Sequence, residues 1–564
     1  MWGPELPETH EVIVVGSGAG GLMAAAVAAD AGLSVAVLEK SGLFGGTSAV
    51  SAGTVWVPGN PYMREAGRVD DPALALRYLE QSTAGKTPAA LLRRLVETGP
   101  EMLEFARSCG LELDVAAYFP DYRQEFDGAM PGARSLQPRL FDRNELGALR
   151  DALRFDTNQL PYTMGEFKQW GSWENFPWEE LRGRAERGIV GRGAALVGPL
   201  FACCLTRGVR FASEARVTSL LTSDAGGRAV TGVEVDGRRL RAARGVVLAC
   251  GGFEWDPEMV AKYVDGEIEA RCSPPHNTGD GHRMAAAAGA SFANMSEAWW
   301  APMAIVPGQE IEGEQVGRHL RTERQGPGTI IVDSRGRRFI NESQDYNSLI
   351  RAAHRAERET GPHLPMYVVF DQRFLDRYGF ITYRSTSGQP VPGWLLTGES
   401  AAELAGRLGM DPGTLQATLD RFNEFAAEGK DEDFGRGQNI YDAYGGDVAN
   451  PYPNPNLGPI TQAPFYAMRV LPGAFGTSGG VRTDDLGRAQ TAGDTVIAGL
   501  FAVGNVSSHP CAAGYPGAGG DAGTRDDDGL HRGQGDRSGR PVTRRLRERD
   551  DFIVTGGGTG RLSF

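Results

Sequence analysis

Three glycines carry the first chemical signal. Gly16, Gly18 and Gly21 stand in GxGxxG spacing within VVGSGAGG, after the apolar run Glu11 to Val15 and before an alanine-rich stretch. At such a junction the first glycine permits a tight turn. The second lets the backbone reach a pyrophosphate, and the third lets the helix pack on the strand. The N-terminus of the helix adds unpaired N–H groups and the positive end of its dipole for the phosphates. Glu39 closes the following strand at the distance where a carboxylate holds ribose hydroxyls, and it disfavours a 2′-phosphate. The chemistry implied is dinucleotide binding.

A second run, LFGGTSAVSAGTVWVPGN, places Gly45, Gly46, Thr47 and Ser48 together. Small residues in this arrangement let backbone lie against a flat cofactor and donate N–H bonds to it. Near the other end, GLFAVGN repeats the pattern of strand then glycine and contributes Gly504 and Asn505. A nucleotide domain completed by a late segment after a long insertion is organised like FAD enzymes rather than simple NAD dehydrogenases. There is also no second GxGxxG for a nicotinamide domain. FAD is the cofactor expected.

The elements that must position these residues follow from the patterning. Glu11 to Val15 and Ser34 to Glu39 read as strands buried on both faces, joined by a helix from Leu22 to Ala31 and capped by Gly32. This is a right-handed βαβ unit. Further strands are expected at 245–250, 329–332, 366–370 and 500–503, and helices at 88–96, 100–108, 193–207 and 401–408. The stretch 441–464, rich in Pro, Asn and Gly, reads as a long loop. The fold class expected is α/β, a Rossmann-like FAD-binding domain completed by the C-terminal segment, with an inserted α+β catalytic domain. The boundaries expected are 1–300 and 470–520 for the FAD domain, 301–469 for the catalytic domain and 521–564 for a tail.

Composition narrows the classes. The 564 residues carry a net charge of −13, so no basic footprint for nucleic acid precedes the tail. Seventy-eight glycines, about twice the usual share, show no Gly-X-Y period and belong to turns and close backbone contacts. No apolar run is long enough to span a bilayer, and the acidic N-terminus MWGPELPETHE carries no secretory h-region, so a cytoplasmic location is expected. The six cysteines show no CxxC or zinc spacing, and the eight histidines no HExxH, so reduced thiols and no metal site are expected. Trp299–Trp300 reads as core or pocket wall, DEDFGRG as a structural charged turn, and His509 and Cys511 as loop residues.

Taken together, the segments GGTSAVSAGTVWVPGN, GRGAALVGPL, GVVLACGGFEWDPEM, NTGDGHRMAAAAGA, EAWWAPM, GTIIVDSRGRRFINESQDY, DEDFGRG, PFYAMRVLPGAFGTSGGVRTD, GLFAVGN and GYPGAGG resemble the 3-ketosteroid Δ1-dehydrogenase family, within the fumarate-reductase-like flavoproteins. They run in family order from about residue 10 to 520. The resemblance implies FAD-dependent 1,2-dehydrogenation of a 3-ketosteroid, with an external electron acceptor such as a quinone. It assigns catalytic roles to Tyr122 in FPDY, Tyr346 in NESQDY, and Tyr515 and Gly519 in YPGAG. Tyr515 and the Gly519 N–H would polarise the C3 carbonyl. Tyr346, assisted by Tyr122, would take the C2 proton, and the C1 hydride would pass to flavin N5. Phe119 stands where relatives often carry another tyrosine. The alternatives left open are a 3-oxo-5α-steroid 4-dehydrogenase and a non-catalytic flavin- or steroid-binding remnant. A fumarate-type reductase is disfavoured, because no arginine proton donor is recognisable.

The resemblance stops at Gly520. From Asp521 to Phe564 the chain is rich in Asp, Arg and Gly, poor in apolar residues and without period, and it reads as disordered. Gly520 to Gly533, GDAGTRDDDGLHRG, can be back-translated so that a one-base shift reads ATLGPAMTTGYIAG, which matches the helix the family places there. The tail is therefore read as a shifted frame, and resequencing the DNA at Gly520 tests that reading.

Overall fold

The computed structural model describes residues 6–156, 160–170, 175–223, 229–512 and 514–520. The tail, with the readings of disorder and frame shift attached to it, lies outside the described residues. The architecture is mixed α/β and rests on two large sheets.

The first sheet has a parallel core. Its strands, in spatial order, are Val496–Ala502, Arg238–Leu248, Thr9–Val15, Val35–Leu38 and Arg210–Ala212. The VIVV run of the central strand is continuous because both of its faces are covered. Val12 and Val14 pack with the helix Ala19–Asp30, whereas Ile13 and Val15 pack with Leu248, Met284 and Leu500 on the opposite side. A Cβ on Gly21 would stand 2.4 Å from the Gly16 carbonyl oxygen, so glycine is required where this helix crosses the strand.

The second sheet is antiparallel, in the order Glu314–His319, Ala298–Ile311, Phe465–Thr477, Met366–Asp371 and Thr329–Val332. Ile330, Val332, Val369 and Ala467 face the helices Ala401–Leu408 and Pro412–Glu428, while Ile331, Val368, Phe370 and Met468 face a separate core. The DEDFGRG stretch is structural. Asp431 and Arg436 are buried, and with Arg338 and Glu342 they form an ion-paired network beneath the second sheet.

Three local expectations are revised. Residues 89–108 form one helix that runs through Pro100, because buried Leu95 and Val96 hold its first half against one hydrophobic cluster and Met102 and Leu103 hold its second half against another. The 441–464 loop begins inside a short helix, Ile440–Gly445. Cys109 and Cys203, 94 residues apart, are joined as a disulfide across two packed helices, whereas all six thiols were expected to be reduced. Among the described residues, no helix is long and apolar enough to cross a membrane, and no group of three His, Cys, Asp or Glu could hold a metal.

Candidate active site

The carboxyl ends of four parallel strands open onto one cleft, the usual position for a ligand in a doubly wound sheet. Each strand ends in a lining segment: Gly16 to Gly21, Leu38 to Lys40, Ala249 to Gly251 and Val503 to Asn505. Gly16 has φ +106°, and a Cβ there would lie 2.4 Å from the Ala249 carbonyl oxygen. Gly18 caps the helix in an extended conformation and uses no side chain to do so. Gly46, at φ +52°, passes over Gly18, and Gly45 donates its N–H to Ser17 Oγ at 3.0 Å.

Ser48 Oγ accepts the Ala19 N–H at 3.2 Å, and Thr47 Oγ1 accepts from Asn277 at 2.8 Å. The Glu39 carboxylate is buried and held on both oxygens. Ser17 donates from N and Oγ at 3.2 and 2.7 Å, and Ser41 from N and Oγ at 3.0 Å each. The cradle is thus mostly backbone, with close approaches that a Cβ would fill, and this suits an extended dinucleotide. Cofactor-site residues expected from sequence lie along or beside the cleft. Gly45 braces it through Ser17, and Gly504, at φ +68°, turns the last strand into it.

Asn505 links the cleft to a second cluster. Its Oδ1 accepts from Trp299 Nε1 at 3.0 Å, and the Trp299 ring stands edge-on to Tyr515 with 5.1 Å between centroids. Around Tyr515 the three expected tyrosines converge from three distant parts of the chain. The Tyr122–Tyr515, Tyr122–Tyr346 and Tyr346–Tyr515 centroids are 5.3, 5.2 and 5.2 Å apart. The Tyr122 hydroxyl donates to the Tyr346 oxygen at 2.8 Å. Burial pushes the Tyr122 hydroxyl well above the ordinary tyrosine pKa, and neighbouring Tyr346 and Tyr441 add to the shift. Tyr122 therefore keeps its proton and remains a donor to Tyr346.

Local structure fixes each member. Tyr346 opens the helix Tyr346–Thr360, whose N-cap Asp345 accepts the Ser348 N–H at 2.8 Å. Tyr122 follows Asp121, a buried carboxylate that accepts from Trp56 Nε1 at 2.8 Å, Met130 N at 2.9 Å and Arg134 Nη1 at 2.6 Å. Arg134 also forks onto Asp70 at 2.7 and 2.8 Å. Burial opposes the charge of Arg134, but Asp121 and Asp70 outweigh it and raise its pKa. The return segment is tied to the same region. Tyr122 N donates to Pro516 O at 3.0 Å, and the Tyr78 hydroxyl does so at 2.5 Å. Gly519, at φ +87°, sits where a Cβ would lie 2.3 Å from the Thr54 carbonyl oxygen, and no partner for its N–H occurs among the described residues.

Sequence reasoning missed several members of the cluster. Tyr441 stands edge-on to Tyr122 at 5.0 Å, and Tyr444 packs on Phe119 at 4.7 Å. His319 stands edge-on to Tyr346 at 5.0 Å. Burial, reinforced by Arg324, Arg321 and Arg318, holds the His319 imidazole well below its ordinary pKa and hence neutral. None of these residues sits in a recognisable motif; the signal that could have found the first pair is YDAY inside an apparent loop.

Comparisons with known proteins agree with the fold and with FAD as the cofactor. A family model described as FAD binding domain matches residues 11–521. The chain is 46% identical over 519 residues to a 4-oxocyclohexanecarboxylate 2-dehydrogenase of Sinomonas cyclohexanicum, covering 91% of this chain and 90% of that protein. It is 37% identical over 552 residues to a 3-oxosteroid 1-dehydrogenase of Mycolicibacterium smegmatis, covering 92% and 95%. The fold matches the crystal structure of a 3-ketosteroid Δ1-dehydrogenase from Sterolibacterium denitrificans in complex with 1,4-androstadiene-3,17-dione. That match has a TM-score of 0.85 at 35% identity and covers 92% of this chain and 97% of that one.

Proposed function

The chain belongs to the FAD binding domain family, as an FAD-dependent dehydrogenase of the fumarate-reductase-like flavoproteins, and from that premise we propose that it desaturates the Cα–Cβ bond of a cyclic ketone. The observation that carries this reading is the Tyr122–Tyr346–Tyr515 cluster, joined to the cofactor cleft through Trp299 and Asn505.

Desaturation beside a carbonyl needs an acidified α-proton, a base to take it and an acceptor for the β-hydride. Tyr515 O–H and Gly519 N–H donate to the ketone oxygen and stabilise the negative charge that grows there as the proton leaves. Tyr346 takes the α-proton on its phenolic oxygen. A tyrosine of ordinary pKa acting as base at pH 7 faces a cost of about 4 kcal/mol. The hydrogen bond from Tyr122 offsets part of it, because Tyr122 holds its own proton and donates to the developing phenolate. FAD, when bound, supplies the hydride acceptor at N5.

Two ring ketones fit the reaction. The sequence motifs favour a 3-ketosteroid, giving a Δ1 product, with reoxidation by an external acceptor such as a quinone. A 4-oxocyclohexanecarboxylate is the second reading, and the 46% identity to a dehydrogenase named for that substrate favours it. The test is to incubate the purified holoprotein with each ketone and a dye acceptor and to locate the new double bond by NMR. An alkene conjugated to the ketone, at C1–C2 in the steroid case, is expected. A double bond at C4–C5 of a 5α-steroid would favour the 4-dehydrogenase alternative. A flavin-containing protein that forms no product would contradict the desaturase reading.

A further inference from the structure

Arg321 follows the strand Glu314–His319 and enters the aromatic cluster. Its guanidinium carbon lies 5.2 Å from the Phe119 ring centre and 5.3 Å from that of Tyr444. These rings, 4.7 Å apart, pack with Tyr122 and Tyr515 in one apolar group. The guanidinium is charged. Burial opposes the charge, but surrounding phenols, Tyr444 first, outweigh it and raise the pKa.

Neighbouring arginines are consumed by the fold. Arg324 donates to the carbonyls of Leu320, Glu342 and Gln344. Arg436 pairs with Glu342 at 3.2 Å and donates to the carbonyls of Thr329, Arg324 and Gly326. Arg321 differs in having neither kind of partner: among the described residues its guanidinium meets no main-chain carbonyl and has no carboxylate within ion-pair distance, and it hydrogen-bonds to the Tyr444 side chain instead. The Phe119 face attracts the cation and the Tyr444 hydroxyl accepts one of its N–H groups, but neither is a carboxylate. A cation held beside a reaction centre without a counter-charge is best satisfied by an anion that arrives with the substrate, and a planar fork matches a carboxylate.

We propose that Arg321 is the substrate-carboxylate subsite, so that the enzyme selects a cyclic ketone bearing a ring carboxylate over a neutral steroid. This rests on the desaturase reading. The ketone end lies against Tyr515 and Gly519, the α-carbon against Tyr346, and the carboxylate against the guanidinium of Arg321.

The test compares dye-coupled turnover of 4-oxocyclohexanecarboxylate and its methyl ester by the holoprotein. The wild type is expected to prefer the acid. In Arg321→Gln the acid-to-ester ratio of kcat/KM is expected to fall about 100-fold, chiefly through the KM for the acid, with part regained in Arg321→Lys. Cyclohexanecarboxylate, which has the charge but no ketone, is expected to inhibit ester turnover by the wild type and to lose about 100-fold in potency in Arg321→Gln. Neither selective change would follow from a general loss of packing. If Arg321→Gln does not retain flavin, Arg321→Met, which also removes the charge, serves for the same two readings. An unchanged acid-to-ester ratio and unchanged inhibition in a flavin-loaded variant would overturn the role of Arg321 and leave the desaturase intact. A flavin-loaded wild type that turns over ester and steroid but disfavours the acid would do the same. No turnover of any ring ketone by the loaded wild type would overturn the desaturase reading, and this inference with it.

Discussion

The cofactor cleft and the tyrosine cluster meet at one hydrogen bond, from Trp299 to Asn505, yet they are built by different means. The cleft is largely backbone: strand ends and glycines in left-handed or closely packed conformations, where side chains are excluded. The cluster is almost wholly side chain, with rings from residues 119, 122, 346, 441, 444 and 515 in mutual contact. A backbone cradle tolerates no added atoms but asks little of residue chemistry beyond that. A ring cluster accepts changes of shape but depends on single hydroxyl groups. Mutations in the two regions are therefore expected to fail in different ways.

The largest effect is expected in the cleft. Gly16→Ala places a methyl group against the Ala249 carbonyl at 2.4 Å, at a φ of +106° that alanine rarely adopts. The Ala249 carbonyl is backbone and cannot yield, so the purified variant is expected to lose most of its FAD and, with it, all turnover. Flavin released on denaturation, counted per chain, checks this. Wild-type occupancy would break the claim that backbone closeness builds the site.

A smaller and different effect is expected beneath the cluster. Arg134→Met leaves Asp70 and Asp121 buried without their shared cation, at a cost of about 3–5 kcal/mol in unfolding free energy. Denaturant unfolding measures the loss. Because Asp121 precedes Tyr122, turnover is expected to fall further than FAD occupancy does, which would sharpen the separation of the two regions. An equal loss of both would blur it.

The same contrast explains what the sequence disclosed. The glycines at 16, 18 and 21, with Glu39, are local, so their spacing alone announced a nucleotide cradle, and the apolar runs announced the doubly covered sheet. Glu39 sits where that spacing put it, but its oxygens are held by Ser17 and Ser41, a local arrangement that spacing does not reveal. Tyr122, Tyr346 and Tyr515 could be singled out only through resemblance, because nothing local marks a tyrosine whose partners lie hundreds of residues away. Arg321, His319, Tyr441 and Tyr444 were silent for the same reason. The helix through Pro100 was hidden because a proline removes one hydrogen bond, whereas the core contacts that outweigh it come from elsewhere in the chain.

The central claim is that the cleft holds the flavin while the Tyr346 hydroxyl takes the proton. The most direct measurement is anaerobic mixing of Tyr346→Phe holoprotein with a ring ketone that reduces the wild-type flavin, following the oxidised-flavin band. Full flavin content and bleaching slowed by about 10³-fold or more are expected. Bleaching at the wild-type rate would contradict that claim.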